Sequence, residues 1–257
     1  MTGTDFRHLL VLLLALAFPV SGWAADAAGE AENTDLSLEM IATEEEDAFL
    51  FEDEEILEVW DPIEPVNRAF FWFNDKLYFY LLKPIARGYR VVPEPWRISV
   101  KNFFSNLASP VRIINAGLQG KFGDAGTEIT RFGINTTIGI GGFFDTAKDH
   151  FDLHMVDEDT GQTFGFYGVG PGPYLVIPVL GPSNLRDGLS EFFVDNRLNL
   201  LYHLTDGWTY YGLKAYDKVN SLSLDKDTYE GIKKDALDPY LFVRDAFMQY
   251  RQNKIEN

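Results

Sequence analysis

The stretch RFGINTTIGIGGFFDTA, residues 131–147, decides how the fold of this chain is interpreted. Its residues are mostly apolar, β-branched or aromatic, but four glycines interrupt it, at Gly133, Gly139, Gly141 and Gly142. A glycine costs about 1 kcal/mol relative to alanine inside a helix, and a transmembrane span needs about 20 unbroken apolar residues. Two helical arms that meet at a glycine hinge tolerate both features. The stretch therefore predicts a short apolar hairpin that bends, and it is compatible with one that enters a membrane without crossing it.

The first 24 residues have the composition of a signal peptide. A weakly basic start precedes an apolar run over residues 9–20, and Ala24 ends a small-x-small cleavage site. The apolar run is too short to span a bilayer. We expect cleavage after Ala24, with Ala25 as the alternative position, and a retained anchor is the competing interpretation.

Acidic residues are concentrated directly after this segment. Residues 25–61 contain 15 of the 39 acidic residues and none of the 22 lysines and arginines, so they carry most of the net charge of −17. A segment that repels itself and has few apolar residues stays solvated. We expect a disordered acidic tail over residues 25–61, acting as a linker or as an electrostatic contact to a basic partner. The nearly neutral residues 62–257 can bury one substantial core.

The pattern over residues 62–257 predicts a single all-α domain of short helices. The expected helices cover residues 67–82, 96–107, 111–118, 124–137, 184–204, 208–220 and 240–254. The first is apolar nearly all round, which is typical of a helix that is deeply buried or touches lipid, and Pro84 is expected to end it. Glycine and proline within residues 165–182 exclude a long helix there, so an extended segment with a short strand is expected.

The sequence lacks the motifs of the common catalytic sites. It contains no G-x-S-x-G nucleophile elbow, no P-loop and no H-E-x-x-H pair. A phospholipase needs a nucleophile with a base in reach, and no histidine after residue 24 lies in a recognisable motif of that kind. The chain has no Cys, which excludes a disulfide, a thiol nucleophile and a lipid-modified cysteine from these 257 residues. We therefore expect no enzymatic activity and no cofactor.

One polar loop carries the candidate metal ligands. They are His150, Asp152, His154, Asp157 and Asp159. Their side chains suit zinc or calcium, but the later bidentate glutamate of a calcium loop is missing. A solvated polar loop is the favoured interpretation, and no metal is expected.

Three arginines are candidates for contacts to phosphate headgroups. Arg186 and Arg197 lie about three turns apart on one predicted helix, and arginine binds phosphate in a bidentate manner. Pairing with carboxylates is the alternative. Arg131, set among apolar residues, is either an internal ion-pair partner or a headgroup ligand at a pore mouth. The neighbouring Phe143 and Phe144 are core residues by default, although aromatic side chains also suit membrane interfaces.

Several motifs together resemble the MlaA/VacJ family, the outer-membrane component of the Mla phospholipid pathway. No single piece is specific, but they follow one another in order and cover essentially all of residues 62–257. They are Asp61-Pro62-Ile63-Glu64-x-x-Asn67-Arg68, Phe73-Asn74, Arg131-Phe132-x-x-Asn135-Thr136-x-x-Gly139-x-Gly141-Gly142-Phe143-x-Asp145-x-Ala147, Thr163-Phe164-Gly165-x-Tyr167-Gly168-Val169-Gly170-x-Gly172-Pro173-Tyr174, Pro178-x-x-Gly181-Pro182-Ser183-x-x-Arg186-Asp187 and Asp238-Pro239-Tyr240-x-x-Val243-Arg244-Asp245.

This resemblance implies a ring of mostly α-helices at the periplasmic face of the outer membrane, with an amphipathic channel through the ring. Phospholipid that has strayed into the outer leaflet would pass through the channel to a periplasmic lipid carrier of the Mla pathway, which maintains lipid asymmetry. A trimeric porin is a further partner that the family implies, and no nucleic acid is expected. A structural adaptor of a porin assembly, without transport, is the alternative.

The resemblance also assigns roles to residues of the glycine-rich stretch. Gly139, Gly141 and Gly142 would form a hinge that gates the channel, Phe143 and Phe144 its apolar surface, and Arg131 would lie near the headgroup path. Typical family members are lipoproteins with a lipidated N-terminal cysteine, which this sequence lacks. We therefore expect its residence in the outer membrane to depend on apolar helices, on a porin, or on both.

Overall fold

The computed structural model describes residues 59–225 and 228–256, and helices dominate this part of the chain. The helices are α1 (Glu64–Leu77), α2 (Lys83–Tyr89), α3 (Glu94–Leu107), α4 (Ser109–Leu118), α5 (Phe122–Thr137), α6 (Thr146–Phe151), α7 (Thr160–Phe166), α8 (Leu185–Ser190), α9 (Asn196–Leu198), α10 (Leu200–Leu204), α11 (Gly207–Leu224), α12 (Thr228–Asp235) and α13 (Pro239–Glu256). Two π-helical turns, Tyr78–Leu82 and Glu191–Asp195, join α1 to α2 and α8 to α9. The all-α prediction is confirmed, whereas the predicted signal peptide and nearly all of the acidic tail lie outside the described residues.

Local sequence signals explain where most helices begin. A proline is the second residue of α1, α3 and α4, where the missing N–H would have no helical partner anyway. The side chain of Asp206 accepts the backbone N–H of Thr209 and caps α11, and Asp159 does the same for α7 through Gln162. The helices predicted over residues 96–107, 111–118, 124–137, 208–220 and 240–254 are all present, with ends shifted by up to four residues.

The predicted helix end at Pro84 is wrong. The π turn Tyr78–Leu82 follows α1 and continues directly into α2, and Pro84 lies in the first turn of α2. A π turn changes the register of the backbone hydrogen bonds, and a proline fits the first turn of the helix that follows it. The helical segment therefore extends from Glu64 to Tyr89.

Helix α1 buries polar side chains and exposes apolar ones. Asn67 and Asp75 are buried, whereas the side chains of Trp72 and Phe73 are exposed. Soluble surface helices show the opposite distribution. The polar strip of this helix therefore faces the rest of the protein, and its aromatic face is available for contact with lipid or with another protein.

The extended segment contains a short hairpin that docks on α1. Strands β1 (Tyr174–Ile177) and β2 (Gly181–Asn184) are antiparallel, with Tyr174 opposite Asn184. The side chain of Asn67 completes the free edge of β1, since it donates to the carbonyl of Tyr174 and accepts the N–H of Val176, both at 2.9 Å. A buried strand edge is thereby satisfied by a side-chain amide.

The single helix predicted over residues 184–204 is interrupted. Helix α8, its π turn and α9 run continuously to Leu198, but Asn199 has an extended backbone with ψ of 128°. Its side chain accepts the backbone N–H of Leu201 at 2.9 Å and begins α10. Asparagine is among the strongest N-cap residues, so the break at Asn199 has a local cause.

Contacts among these elements close a ring. Helix α1 packs on β1, β2 on α13, α13 on α7, α7 on α4, and α4 on α3; α3 then packs on α11, and α11 on α2, which the π turn joins to α1. One apolar cluster lies where α3, α10 and α11 meet, around Phe103, Leu201 and Tyr210. Within residues 59–225 and 228–256, no helix has both the length and the apolar composition needed to cross a bilayer.

Candidate functional site

Residues 138–144, which we call the glycine loop, form a closed turn between α5 and α6. The N–H groups of Gly141 and Gly142 donate to the carbonyls of Thr136 (2.9 Å) and Asn135 (2.8 Å). The N–H of Phe144 donates back to Gly139 at 3.0 Å. The loop joins the long helix α5 to α6, which has only six residues. Hydrogen bonds within the loop and to the end of α5 hold it closed.

Space requires glycine at two positions of the loop. A Cβ atom on Gly139 would lie 2.3 Å from the carbonyl oxygen of Phe144, and one on Gly142 would lie 2.4 Å from Cβ of Asn106. Gly142 also has a φ of +96°, which side chains rarely adopt. A Cβ atom on Gly141, in contrast, would meet nothing within 4 Å.

The two phenylalanines of the loop point to different environments. Phe143 is half-buried and stacks on Phe103, with ring centroids 4.8 Å apart and 16° between the planes. Phe144 is exposed, as are Ile138 and Ile140. The structure therefore places Phe144 and the two isoleucines on the apolar surface of the loop and anchors Phe143 in the core.

Arg131 is buried and forms an ion pair inside the protein. Its Nη2 atom lies 3.0 Å from both carboxylate oxygens of Asp145, and its Nη1 donates to the carbonyl of Leu153. Burial opposes the ionisation of Asp145, but hydrogen bonds from Asn135 and Arg131 outweigh it and hold the pKa of Asp145 below its ordinary value. Of the two interpretations of Arg131, this geometry favours the internal ion-pair partner.

The structure does not bring the other two candidate arginines together. Arg186 is buried, with its Nε atom 2.8 Å from Asp187 and its Nη1 atom donating to the carbonyl of Val169 at 3.1 Å. Arg197 is exposed and donates to the carbonyl of Phe193 at 2.7 Å. Arg197 is thus accessible to a ligand from solvent, whereas the guanidinium of Arg186 is held in an internal ion pair.

Sequence reasoning missed a buried arginine on the last helix. Arg251 forms two hydrogen bonds to the carboxylate of Asp159, at 2.6 and 2.9 Å, and its Nε lies 2.7 Å from Asp187. Burial opposes the ionisation of Asp159, but Arg251 outweighs it and lowers the pKa of that carboxyl. No local pattern reveals such a pair, because its members lie 92 residues apart in the chain.

The candidate metal ligands of the polar loop are not gathered around a common point. His154 lies 3.1 Å from Asp152 and both are exposed, while Asp159 caps α7 and pairs with Arg251. In the part of the chain that the structure describes, no three His, Asp or Glu side chains are placed to hold a metal ion.

A polar cavity of about 310 Å³ lies inside the ring. Elements from opposite sides contribute to it, including α4, β2, α11 and α13, and its lining includes Arg112, Asp187, Asp195 and Arg251. Burial and the nearby charge of Asp159 raise the pKa of Asp195 to about 6, although Thr160 donates to it at 2.5 Å. The cavity therefore mixes fixed charges of both signs with one carboxyl that titrates near neutral pH.

An apolar cavity of about 230 Å³ adjoins the polar one. Its lining includes Phe71, Val176, Leu222 and Val243 from α1, β1, α11 and α13. Pro182 of β2 lines both cavities. The interior of the ring thus presents two chemistries side by side, one suited to charged groups and one suited to hydrocarbon.

Comparison with known proteins identifies one family over this whole region. The family model described as MlaA lipoprotein matches residues 59–254. The Escherichia coli protein named intermembrane phospholipid transport system lipoprotein MlaA is 35% identical over 197 residues, which cover 74% of this chain and 76% of that protein. A Rickettsia felis protein, named only as uncharacterized, is 35% identical over 201 residues, which cover 78% of this chain and 80% of that protein.

A solved structure has the same fold. It is described as the structural basis for maintenance of bacterial outer membrane lipid asymmetry, and its TM-score to this chain is 0.69 with 34% sequence identity. The match covers 76% of this chain and 98% of the solved chain. Sequence and structure therefore point to the same relatives.

Proposed function

This chain belongs to the MlaA family, and we propose that it removes mislocalised phospholipid from the outer leaflet of the outer membrane and so maintains lipid asymmetry. Its curated relatives are named as components of intermembrane phospholipid transport, and the solved structure with the same fold concerns outer-membrane lipid asymmetry. The chain is accordingly a lipid transport component.

The pair of cavities inside the ring is the observation that carries this proposal. A phospholipid has a charged headgroup and two hydrocarbon chains, and moving either one through the wrong environment is costly. The polar and apolar cavities share Pro182 as a common wall. A lipid on this path keeps its headgroup among charged side chains while its acyl chains contact Phe71, Leu222 and Val243.

The outer surface supports a location in the outer membrane at its periplasmic face. Large apolar side chains are exposed around the ring, including those of Trp72, Tyr80, Phe122, Phe144 and Trp208. Exposed aromatic residues of this kind favour the boundary between lipid and water. In this setting the chain passes lipid to a periplasmic carrier of the Mla pathway and sits beside a trimeric porin.

The glycine loop is the part that we propose to move during transport. It exposes Ile138, Ile140 and Phe144, and it is held by a few backbone hydrogen bonds and by the stacking of Phe143 on Phe103. Opening the loop breaks these few contacts and leaves the flanking helices in place. Arg197 is the accessible candidate for a headgroup contact. Arg131 and Arg186, held in internal ion pairs, would act by positioning the loop and the β2–α8 junction.

Lipid content of the purified protein tests this function. The full chain, extracted from the outer membrane in mild detergent, is examined by native mass spectrometry with lipid extraction. We expect phospholipid bound at a defined stoichiometry, and Leu222→Trp, which fills the apolar cavity, to deplete it. The control Leu118→Trp makes the same change at an exposed position of α4. Lipid-free protein, or equal lipid content in all three chains with the fold intact by circular dichroism, contradicts the proposal.

A further inference from the structure

A third cavity lies between α3, α4, α5 and α6. Its volume is about 390 Å³, which falls in the range of small-molecule sites, about 300–1,000 Å³. Cationic side chains outnumber carboxylates in its lining: Lys101, Arg112, Arg131 and Lys148 face one acidic residue, Asp145. We call it the cationic cavity.

Within the described part of the chain, two of these cations are not held in an internal ion pair. Arg131 is neutralised by Asp145, and Arg112 by Glu128 behind the wall. Lys101 and Lys148 are exposed, and across residues 59–225 and 228–256 neither forms an ion pair. The cavity therefore carries a positive excess that a bound anion would neutralise.

Neutral hydrogen-bonding groups complete the lining. Side-chain amides and hydroxyls from α3 and the start of α4 face the cavity, namely those of Asn102, Ser105, Asn106 and Ser109. Phosphate accepts several hydrogen bonds at once and prefers charge-assisted donors. A mixture of two lysines with amides and hydroxyls is a suitable set of partners for a phosphate group.

The surroundings of the cavity distinguish a lipid phosphate from a free one. Asn106 donates to the carbonyl of Gly141 at 3.5 Å, so the cavity wall touches the glycine loop directly. That loop exposes Ile138, Ile140 and Phe144 to the outside. Apolar side chains beside a cationic cavity match a molecule with a phosphate at one end and hydrocarbon at the other.

The cationic cavity also adjoins the interior of the ring. Arg112 lines both the cationic and the polar cavity. A smaller cavity of about 200 Å³ shares Lys101 and Ser105 with the former and Asn199 and Lys214 with the latter. A headgroup held in the cationic cavity is therefore adjacent to the transport path.

We propose that the cationic cavity binds the phosphate of a phospholipid headgroup through Lys101 and Lys148, with the acyl chains against the apolar surface of the glycine loop. The inference rests on the proposed transport function and identifies one binding site on the transport path. Binding in the cationic cavity would come directly before or after passage through the polar cavity. This binding can be measured without a transport assay.

Isothermal titration of the full chain in a non-ionic detergent tests the proposal with two probes, dihexanoyl phosphatidylglycerol and inorganic phosphate. We expect the double variant Lys101→Gln with Lys148→Gln to weaken phosphatidylglycerol binding about tenfold or more, because two charge-assisted hydrogen bonds are lost. The control, Lys76→Gln with Lys234→Gln, makes the same charge change at positions away from the cavity and should bind as the unaltered chain does. Circular dichroism confirms that each variant is folded.

The outcomes separate this inference from the proposed function. Equal phosphatidylglycerol affinity in the unaltered chain and the Lys101/Lys148 variant overturns the cationic site while leaving the transport function intact. Inorganic phosphate that binds as tightly as the lipid overturns the assignment to a lipid headgroup. Absence of any phospholipid binding to the unaltered chain contradicts both proposals.

Discussion

Arg112 and Glu128 form an ion pair in which Nε lies 2.7 Å from Oε2 and the carboxylate is completely buried. The other oxygen of Glu128 accepts the backbone N–H of Val156 at 2.8 Å and lies 3.4 Å from Nε of Arg131. One carboxylate thus contacts two buried guanidinium groups, of which Arg131 is also paired with Asp145. Both arginines line the cationic cavity. Helices α4 and α5 are held together through this centre.

Replacing Glu128 by glutamine should destabilise the fold strongly. The variant leaves the buried guanidinium of Arg112 with a neutral partner and Arg131 with Asp145 alone, and breaking a buried pair in this way costs about 3–5 kcal/mol. Urea unfolding followed by circular dichroism measures the change. The matched control Glu256→Gln alters an exposed residue and should stay within about 0.5 kcal/mol of the unaltered chain. A loss below about 1 kcal/mol for Glu128→Gln would show that the pair is dispensable.

This centre also shows where sequence reasoning succeeds and where it ends. An internal ion pair was one of the two interpretations of Arg131, but no partner for it was predicted from the sequence. Glu128 lies three residues before Arg131 on the same helix face. The partner Arg112 lies on the preceding helix, and nothing in its own neighbourhood distinguishes it from a surface arginine. Helix positions follow from local signals, whereas pairs between helices depend on packing that no local pattern records.

Substitution of Asn67 by alanine should release the hairpin from α1. The change removes three hydrogen bonds, one of them to Asp61, and leaves the carbonyl of Tyr174 and the N–H of Val176 without their side-chain partner. An unsatisfied buried group costs about 1–3 kcal/mol, which thermal unfolding detects as a lower midpoint. Asn102→Ala, which removes one long bond of 3.5 Å, serves as the control. Equal effects of the two substitutions would refute the role assigned to Asn67.

Two glycine-to-alanine substitutions in the same region should have opposite signs. At Gly142 the new Cβ collides with Asn106 and φ is +96°, so we expect a loss of about 1–3 kcal/mol. At Gly133, exposed in α5 with no atom near its Cβ, we expect a gain of about 0.5–1 kcal/mol, because alanine is the better helix former. Chemical unfolding of both variants measures the two changes. A stable Gly142→Ala variant would mean that the loop does not pack on Asn106.

Gly141 offers a test of movement in the loop that leaves its packing alone. Its Cβ position is open but its φ is +71°, so Gly141→Ala costs about 1–2 kcal/mol while Asn tolerates this conformation better. If the loop must move during transport, Gly141→Ala and Gly141→Asn should both reduce phospholipid transfer to acceptor vesicles. The reduction should be larger than the loss of folding stability of each variant explains. Transfer that tracks stability alone would remove the gating role from this loop.

The pKa of Asp195 predicts how stability changes with pH. Burial raises this pKa to about 6 in the folded protein from an ordinary value of 3.8. The folded state therefore binds the proton more tightly, and its contribution to stability is present at low pH and is lost as pH rises through about 6. Between pH 4 and pH 8, the free energy of unfolding of Asp195→Asn should rise by about 1–3 kcal/mol relative to that of the unaltered chain. Parallel stability curves for the two chains would contradict the raised pKa.

The aromatic face of α1 illustrates a second limit of sequence reasoning. The run of aromatic residues around Phe73 indicates a helix that is buried or touches lipid, and both environments give the same pattern. The structure excludes deep burial of the whole helix, because Asn67 and Asp75 occupy its buried side while Trp72 and Phe73 are exposed. Asn199 and Pro84 show the same limit. Either residue can end one helix or begin the next, and the sequence alone does not distinguish these two roles.

Asn106 contacts both the glycine loop and the cationic cavity. This shared contact couples the opening of the loop to the occupancy of the cavity. Its side chain lines the cavity, contacts the carbonyl of Gly141 and fills the space beside Gly142. A ligand that is bound with Asn106 in this position also stabilises the loop in its closed form, and by reciprocity an open loop holds that ligand less tightly. Under the proposed function, headgroup release and loop opening are thus thermodynamically coupled.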